Sequence, residues 1–335
     1  MTVGRLALLL LLMAGFALAV YVALGTFRHQ VAAAPVMRPQ EVTSTAPISG
    51  TMYLTQRGGL YRLQGRRFAE LIPVGRGWTQ PAVAPDHQSL VVVQRSAQSS
   101  DLYLLDLAGK QVRQLTHNAA PDVGSSHWAF YPGFAPDGSS VYFSLDDPKQ
   151  GYRVDLTVWS QPLSGAPPRR WTQPNEYTGG DVNPIPLKQG GLLYAEYTID
   201  ADGHIFSQVL LQRRALVDGI ALTRPEDNCG QPSLSPDGAQ LAMICTGGQP
   251  FARLEVASFD GAGLGPLRVV VDGRLCSAPA WQPDGGGLAY LAPGGPAKRF
   301  QLWYVPLAAA GGAPPLSQQL TTNLAFDATS AIAWF

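Results

Sequence analysis

The sequence predicts an all-β fold built from six repeats, and three observations predict it. A Pro-Asp-Gly turn recurs at Pro136-Asp137-Gly138, Pro236-Asp237-Gly238 and Pro283-Asp284-Gly285, with a variant at Pro85-Asp86-His87. The turns return about every 50 residues, and the one long gap is a double interval whose midpoint falls on Pro186. Short apolar runs lie between the turns, and no helical periodicity follows residue 50. A period of this length in strand-rich sequence is that of a β-propeller.

Composition agrees with that reading. The chain has 335 residues, 46% of them hydrophobic, which supports a large core. Only 14% are charged, and 24 basic side chains balance 24 acidic ones. No nucleic-acid partner is expected, because such domains carry a basic excess. Glycine and proline punctuate the apolar runs, as many strands joined by turns require.

The amino terminus comes first. No residue from Leu6 to Phe27 is charged, and Arg5 and Arg28 flank the run. As a helix it would span about 33 Å, enough for the hydrocarbon core. Ala17-Leu18-Ala19 offers an alternative, a signal-peptidase site. The apolar run continues past it, so an uncleaved anchor over residues 1–27 is expected. No cysteine stands near its end to carry a lipid. Residues 28–47, with Pro35, Pro39 and Thr43-Ser44-Thr45, read as a linker. The expected location is the cell membrane, single-pass, with the propeller (residues 48–335) on the extracytoplasmic side. Charge alone orients the anchor weakly, since Arg5 opposes Arg28 and Arg38.

The repeat is clearest after Cys276. Ser277-Ala278-Pro279-Ala280-Trp281 is a first strand, Pro283-Asp284-Gly285 a turn, and Leu288-Ala289-Tyr290-Leu291 a second strand. Gln301-Leu302-Trp303-Tyr304-Val305 follows as a third strand, and Gln319-Leu320-Thr321 closes the copy. In the turn, Pro presets φ, Asp accepts local backbone hydrogen bonds and Gly takes positive φ. First strands fall near Pro81, Pro132, Pro184, Pro232, Pro279 and Ile332. The last, Ala331-Ile332-Ala333-Trp334, has no strands after it. The earliest strands, beginning at Met52-Tyr53-Leu54, have no first strand before them. The two ends are therefore expected to share one blade, with the carboxy-terminal strand innermost, which removes open sheet edges.

The succession Pro279-Ala280-Trp281-Gln282-Pro283-Asp284-Gly285, Leu288-Ala289-Tyr290, Leu302-Trp303-Tyr304-Val305, Leu320-Thr321 resembles the TolB-type, WD-like propeller repeat. The resemblance covers roughly residues 48–335; the copies at residues 50–77 and 181–223 lack the turn motif or replace it. It is specific for fold and says little of function; it implies protein–protein contacts through one propeller face or the central funnel, and the overall expectation is a non-enzymatic scaffold.

Chemical motifs are sparse. There is no G-x-S-x-G elbow, H-E-x-x-H or P-loop, and Gly261–Gly265 reads as a hairpin loop. No cofactor and no metal are expected. The spacing Asp200-Ala201-Asp202-Gly203-His204 suggests calcium loosely and a loop turn more directly. His117 and His127 flank a loop containing Asp122 and match no ligand set. The loops of residues 122–204 are rich in acid: Asp122, Asp146, Asp147, Glu176, Asp181, Asp200 and Asp202, with Tyr177 and His204 among them. With Tyr177, these seven carboxylates form a candidate docking face for an unidentified protein partner or small ligand.

A tight hairpin centred on Asp237 sets Cys229 opposite Cys245, a candidate disulfide in an exported protein. Three buried thiols, or a bridge from Cys229 to the equivalent Cys276, are the alternatives. The function expected is a binding scaffold; the alternative is a propeller hydrolase or lyase acting on sugar or peptide at the funnel.

Overall fold

The computed structural model describes residues 13–22, 48–149, 154–173, 178–248, 250–295, 298–307 and 316–335. Contacts divide the chain into two units, residues 1–37 and 38–335. In the first, residues 13–22 are helical. Among the described residues no helix is long and apolar enough to cross a membrane. The remainder of the expected anchor, and the linker to residue 47, lie outside the described residues.

The described part of the second unit forms six four-stranded antiparallel sheets, the blades of a propeller. Blade 2 spans Trp78–Gln114, blade 3 Ala129–Arg170, blade 4 Asp181–Ala221, blade 5 Cys229–Val271 and blade 6 Ser277–Gln319. Each runs outward in chain order from its innermost strand. Blade 1 combines Thr51–Gln56, Gly59–Gln64 and Arg67–Ile72 with Ala333–Trp334, which pairs antiparallel inside it. Backbone bonds between Thr51 and Phe335 run both ways, at 2.8 and 3.1 Å. The ring is closed by hydrogen bonding rather than by packing alone.

The first hairpins of blades 2, 3, 5 and 6 share one geometry. The N–H of Gly138 bonds to Ala135 O, Gly238 to Ser235 O, Gly285 to Gln282 O and His87 to Ala84 O, at 2.8–2.9 Å. The aspartates hold these turns: Oδ1 of Asp137, Asp237 and Asp284 accepts a backbone N–H two residues on, at 2.9, 3.0 and 2.8 Å. In blade 4 the turn around Lys188-Gln189 is one residue shorter, with Gly190 at φ 87 bonding back to Leu187 O.

Second strands are buried on both faces, which explains why they read as unbroken apolar runs. In blade 2, Leu90 and Val92 pack toward blade 1, while Val91 and Val93 pack toward blade 3. In blade 6, Leu288 and Tyr290 pack against blade 5, and Ala289 and Leu291 against blade 1. The core is thus a ring of inter-blade layers.

The recurring closing threonine has a structural task. Oγ1 of Thr116, Thr172, Thr223 and Thr321 accepts the N–H of Leu102, Val158, Val209 and Leu302, at 2.8–2.9 Å. The outermost strand, short in most blades, is clipped to the third strand at the point where it leaves the sheet.

Candidate functional site

The innermost strands wall a central funnel, and each of the first five in chain order is bulged at the same place. Gln80, Tyr131, Asn183, Gln231 and Ala278 all take φ between 49 and 54, and each precedes a proline. Left-handed backbone in a non-glycine residue costs about 1–3 kcal/mol, so these five positions are held by their surroundings. Two of them are tied across blade seams: Gln80 Oε1 accepts the Tyr131 N–H at 2.8 Å, and Gln231 Oε1 accepts the Ala278 N–H at 2.7 Å.

Beyond the bulges, at the end bearing the Pro-Asp-Gly turns, the funnel opens into a cavity of about 530 Å³. Its wall includes Pro81, Phe134, Ile185, Leu234, Trp281 and Ile332, so every blade contributes. Trp281 is fixed by donating Nε1–H to Ser233 O at 2.8 Å. His87 sits at the rim with its ring 4.6 Å from that of Phe335. Among the described lining residues, His87 alone carries an ionisable side chain.

The acidic residues lie away from this cavity, and the structure does not gather them into one solvated face. Asp122, Asp200 and Asp202 are exposed. Asp122 Oδ1 accepts the Ser125 N–H at 2.9 Å, and Ser125 holds the carboxyl below the usual carboxylate range. Asp200 Oδ1 accepts the N–H of Asp202 and His204 at 2.9 and 2.8 Å, an aspartate-capped hairpin turn. Its Oδ2 lies 3.3 Å from His204 Nδ1, and the three side chains bring ligand atoms within 4.8 Å of one another. Asp147 is half-buried, and its carbonyl accepts Thr157 Oγ1–H at 2.6 Å. Glu176 and Tyr177 lie outside the described residues.

Two expectations need correction. Asp146 is 4% exposed: its Oδ1 accepts the Trp128 N–H at 2.7 Å and lies 3.1 Å from His127 Nδ1, and its Oδ2 pairs with Lys149 Nζ at 3.0 Å. It is a structural clip rather than a docking charge, because burial leaves no surface to offer a partner. Lys149 Nζ also donates to Ser126 O, which fastens the same loop. Asp181 is 1% exposed and begins the innermost strand of blade 4, again no part of a solvated face.

Cys229 and Cys245 face each other in register and are disulfide-bonded, with Cα atoms 4.0 Å apart. Cys276 is free and buried, and burial pushes its thiol up to about 12, which leaves it unreactive at neutral pH. The bulge residues and threonine clips escaped the sequence reading. A signal existed for both, in the residue–proline step at one offset of the first five innermost strands and in the terminal Leu-Thr or Trp-Thr dipeptide.

No protein-family model matches the chain, and no curated protein sequence matches it. Solved structures do. TolB from Acinetobacter baumannii is 16% identical with a TM-score of 0.67, over 86% of this chain and 67% of that one. A protein of Agrobacterium tumefaciens assigned as TolB is 16% identical with a TM-score of 0.52, over 87% and 99%. The periplasmic gluconolactonase PpgL of Pseudomonas aeruginosa is 14% identical with a TM-score of 0.52, over 82% and 83%. At these identities the likeness is one of fold alone: the chain folds as a six-bladed propeller, as its strand pairing shows, and resembles the TolB structures in that fold. The third of these similar structures is that of a protein named as a gluconolactonase, so likeness of fold does not fix function.

Proposed function

We propose that this chain is a binding propeller, tethered to the outer side of the cytoplasmic membrane, that seats a partner protein or small ligand in its central funnel. One observation carries the reading: an open cavity of about 530 Å³ walled by apolar side chains from all six blades. A concave apolar surface on a rigid scaffold is suited to burying apolar groups of a partner. A hydrolase or lyase would need acid and base groups converging on one point, and His87 alone supplies an ionisable side chain to the described wall. The tether rests on the uncharged run Leu6–Phe27. The exposed Asp122, Asp200 and Asp202, toward the opposite end, are the alternative contacts for a basic partner.

Site-specific photo-crosslinking in cells tests the reading. A crosslinker at Leu234 in the funnel is expected to give a discrete adduct, and one at Val112 on the outer edge of blade 2 none. Adducts from Asp122 or Asp202 with none from Leu234 would move the site to the acidic loops and overturn the funnel assignment.

A further inference from the structure

Apart from the funnel, a cavity of about 450 Å³ lies where blades 1 and 2 meet, a size that suits a small molecule. Arg95, in its wall, ends the strand that starts from the Pro85-Asp86-His87 turn, so this cavity sits at the end of the propeller opposite the funnel mouth. Trp78, Phe326 and Asp327 also line it.

Among the described residues of the wall, Arg95 is the one cation and Asp327 the one anion. Neither forms an ion pair with the other or with any described residue. Opposite charges sharing a cavity would close on each other if they were free to do so, and each of these is held by a different segment. The Arg95 guanidinium lies 5.9 Å from the ring centre of Trp128 and 5.7 Å from that of Phe130. Ring faces position a guanidinium without neutralising it. The Arg95 backbone is fixed as well, its N–H donating to Gly77 O at 2.8 Å. Gly77 takes φ 75, and a Cβ there would stand 2.1 Å from Arg95 O, so the two segments meet backbone to backbone. Asp327 Oδ1 accepts the Arg57 N–H at 3.1 Å. The Asp327 N–H donates to Thr55 O at 3.2 Å, and its carbonyl accepts the Ser330 N–H at 2.8 Å. The two charges are thus set apart in advance, which lowers the cost of receiving a ligand between them.

A ligand that satisfies both must carry an acid and an amine. The planar guanidinium presents paired N–H donors that match a carboxylate. Asp327 offers its remaining carboxylate oxygen to an ammonium, and Trp78 and Phe326 offer ring surface to an apolar side chain. Arg57 and Arg76, both exposed, immediately precede the lining Gly58 and Gly77. Their positive potential disfavours a ligand that is only a cation, and Asp327 disfavours one that is only an anion. We propose that this cavity binds a small zwitterion, a free amino acid or a short peptide with free ends, its carboxylate on Arg95, its ammonium on Asp327 and its apolar side chain against Trp78 and Phe326. The site is separate from the funnel and does not depend on what the funnel seats.

Titration calorimetry on the whole chain tests this with phenylalanine, alanyl-phenylalanine, N-acetyl-phenylalanine and phenylalanine amide. The acetyl form lacks the ammonium and the amide lacks the carboxylate. At least one unblocked ligand is expected to bind about tenfold more tightly than either blocked form. Tighter binding of phenylalanine would identify a free amino acid as the occupant, and tighter binding of the dipeptide a short peptide.

Two variants separate the ends of the ligand. Asp327→Asn keeps an acceptor for the Arg57 N–H; it is expected to weaken the unblocked ligand about tenfold and leave N-acetyl-phenylalanine unchanged. Arg95→Gln is expected to weaken the unblocked ligand to the same degree and leave phenylalanine amide unchanged. A misfolded variant would lose all four ligands together, and melting temperatures check for that separately. Failure of both unblocked ligands to bind wild type, blocked forms binding as tightly as unblocked ones, or folded variants that treat blocked and unblocked ligands alike in their loss would each overturn the proposal.

Discussion

Gln80 joins three parts of the ring: its Oε1 accepts the Tyr131 N–H at 2.8 Å, its own N–H goes to Ser330 Oγ at 2.8 Å, and its Nε2 donates to Thr329 O at 3.2 Å. Tyr131 belongs to the next blade, and Thr329 and Ser330 precede the strand that closes the first. Gln231 repeats the first of these bonds on Ala278. The strained bulges are thus stapled to one another by side chains that reach across the seams.

Gln231→Leu should remove the acceptor of the Ala278 N–H and leave that buried group unpaired. The expected loss is about 1–3 kcal/mol, read as a lower urea midpoint at unchanged slope. Gln231→Glu, which keeps an acceptor, should lose less.

Asp146→Ala should destabilise the protein by about 3 kcal/mol, because it strands Lys149 and the Trp128 N–H in a nearly closed site. Thermal unfolding measures it. A melting temperature equal to wild type would return Asp146 to the class of solvated loop charges.

Stability should fall as pH rises from about 4 to about 8 through the Asp181 contribution. The folded carboxyl holds its proton up to about 8, whereas the unfolded one loses it near 3.8, so across this window the native state binds more protons. Above the folded value the contribution is fully lost. Asp181→Asn should therefore be more stable than wild type at pH 8.5, by on the order of a few kcal/mol, and closer to it at pH 4. Parallel denaturant titrations at the two pH values check the sign.

Removing Ala328–Phe335 should abolish soluble folded protein, because blade 1 loses its innermost strand and Gln80 loses Ser330 and Thr329. A truncated protein with the wild-type melting temperature would show that hydrogen-bonded closure is dispensable.

The repeat was legible because its turns need particular residues: Pro, Asp and Gly each satisfy a separate backbone requirement, so spacing alone located the hairpins. The facing of Cys229 and Cys245 follows from the same hairpin by counting outward from Asp237. The bulges were hidden because left-handed backbone before proline runs against the local preference of that residue, and only ring-wide contacts impose it. Asp146 and Asp181 were misplaced for a related reason. An aspartate beside a strand end is equally compatible with water or burial, and its fate is decided by partners such as Trp128 or Thr172 that no local pattern connects to it.

The strand that closes blade 1 also sets a clock on folding. Its partner, Thr51–Gln56, is synthesised before all the other blades, and Ala333–Trp334 after them. At about 5–20 residues per second, the inner edge of that first sheet stays open for tens of seconds while the rest of the chain is made. Throughout that interval the nascent ring is a half-circle with two sticky ends, and whatever shields those ends governs the yield of native protein.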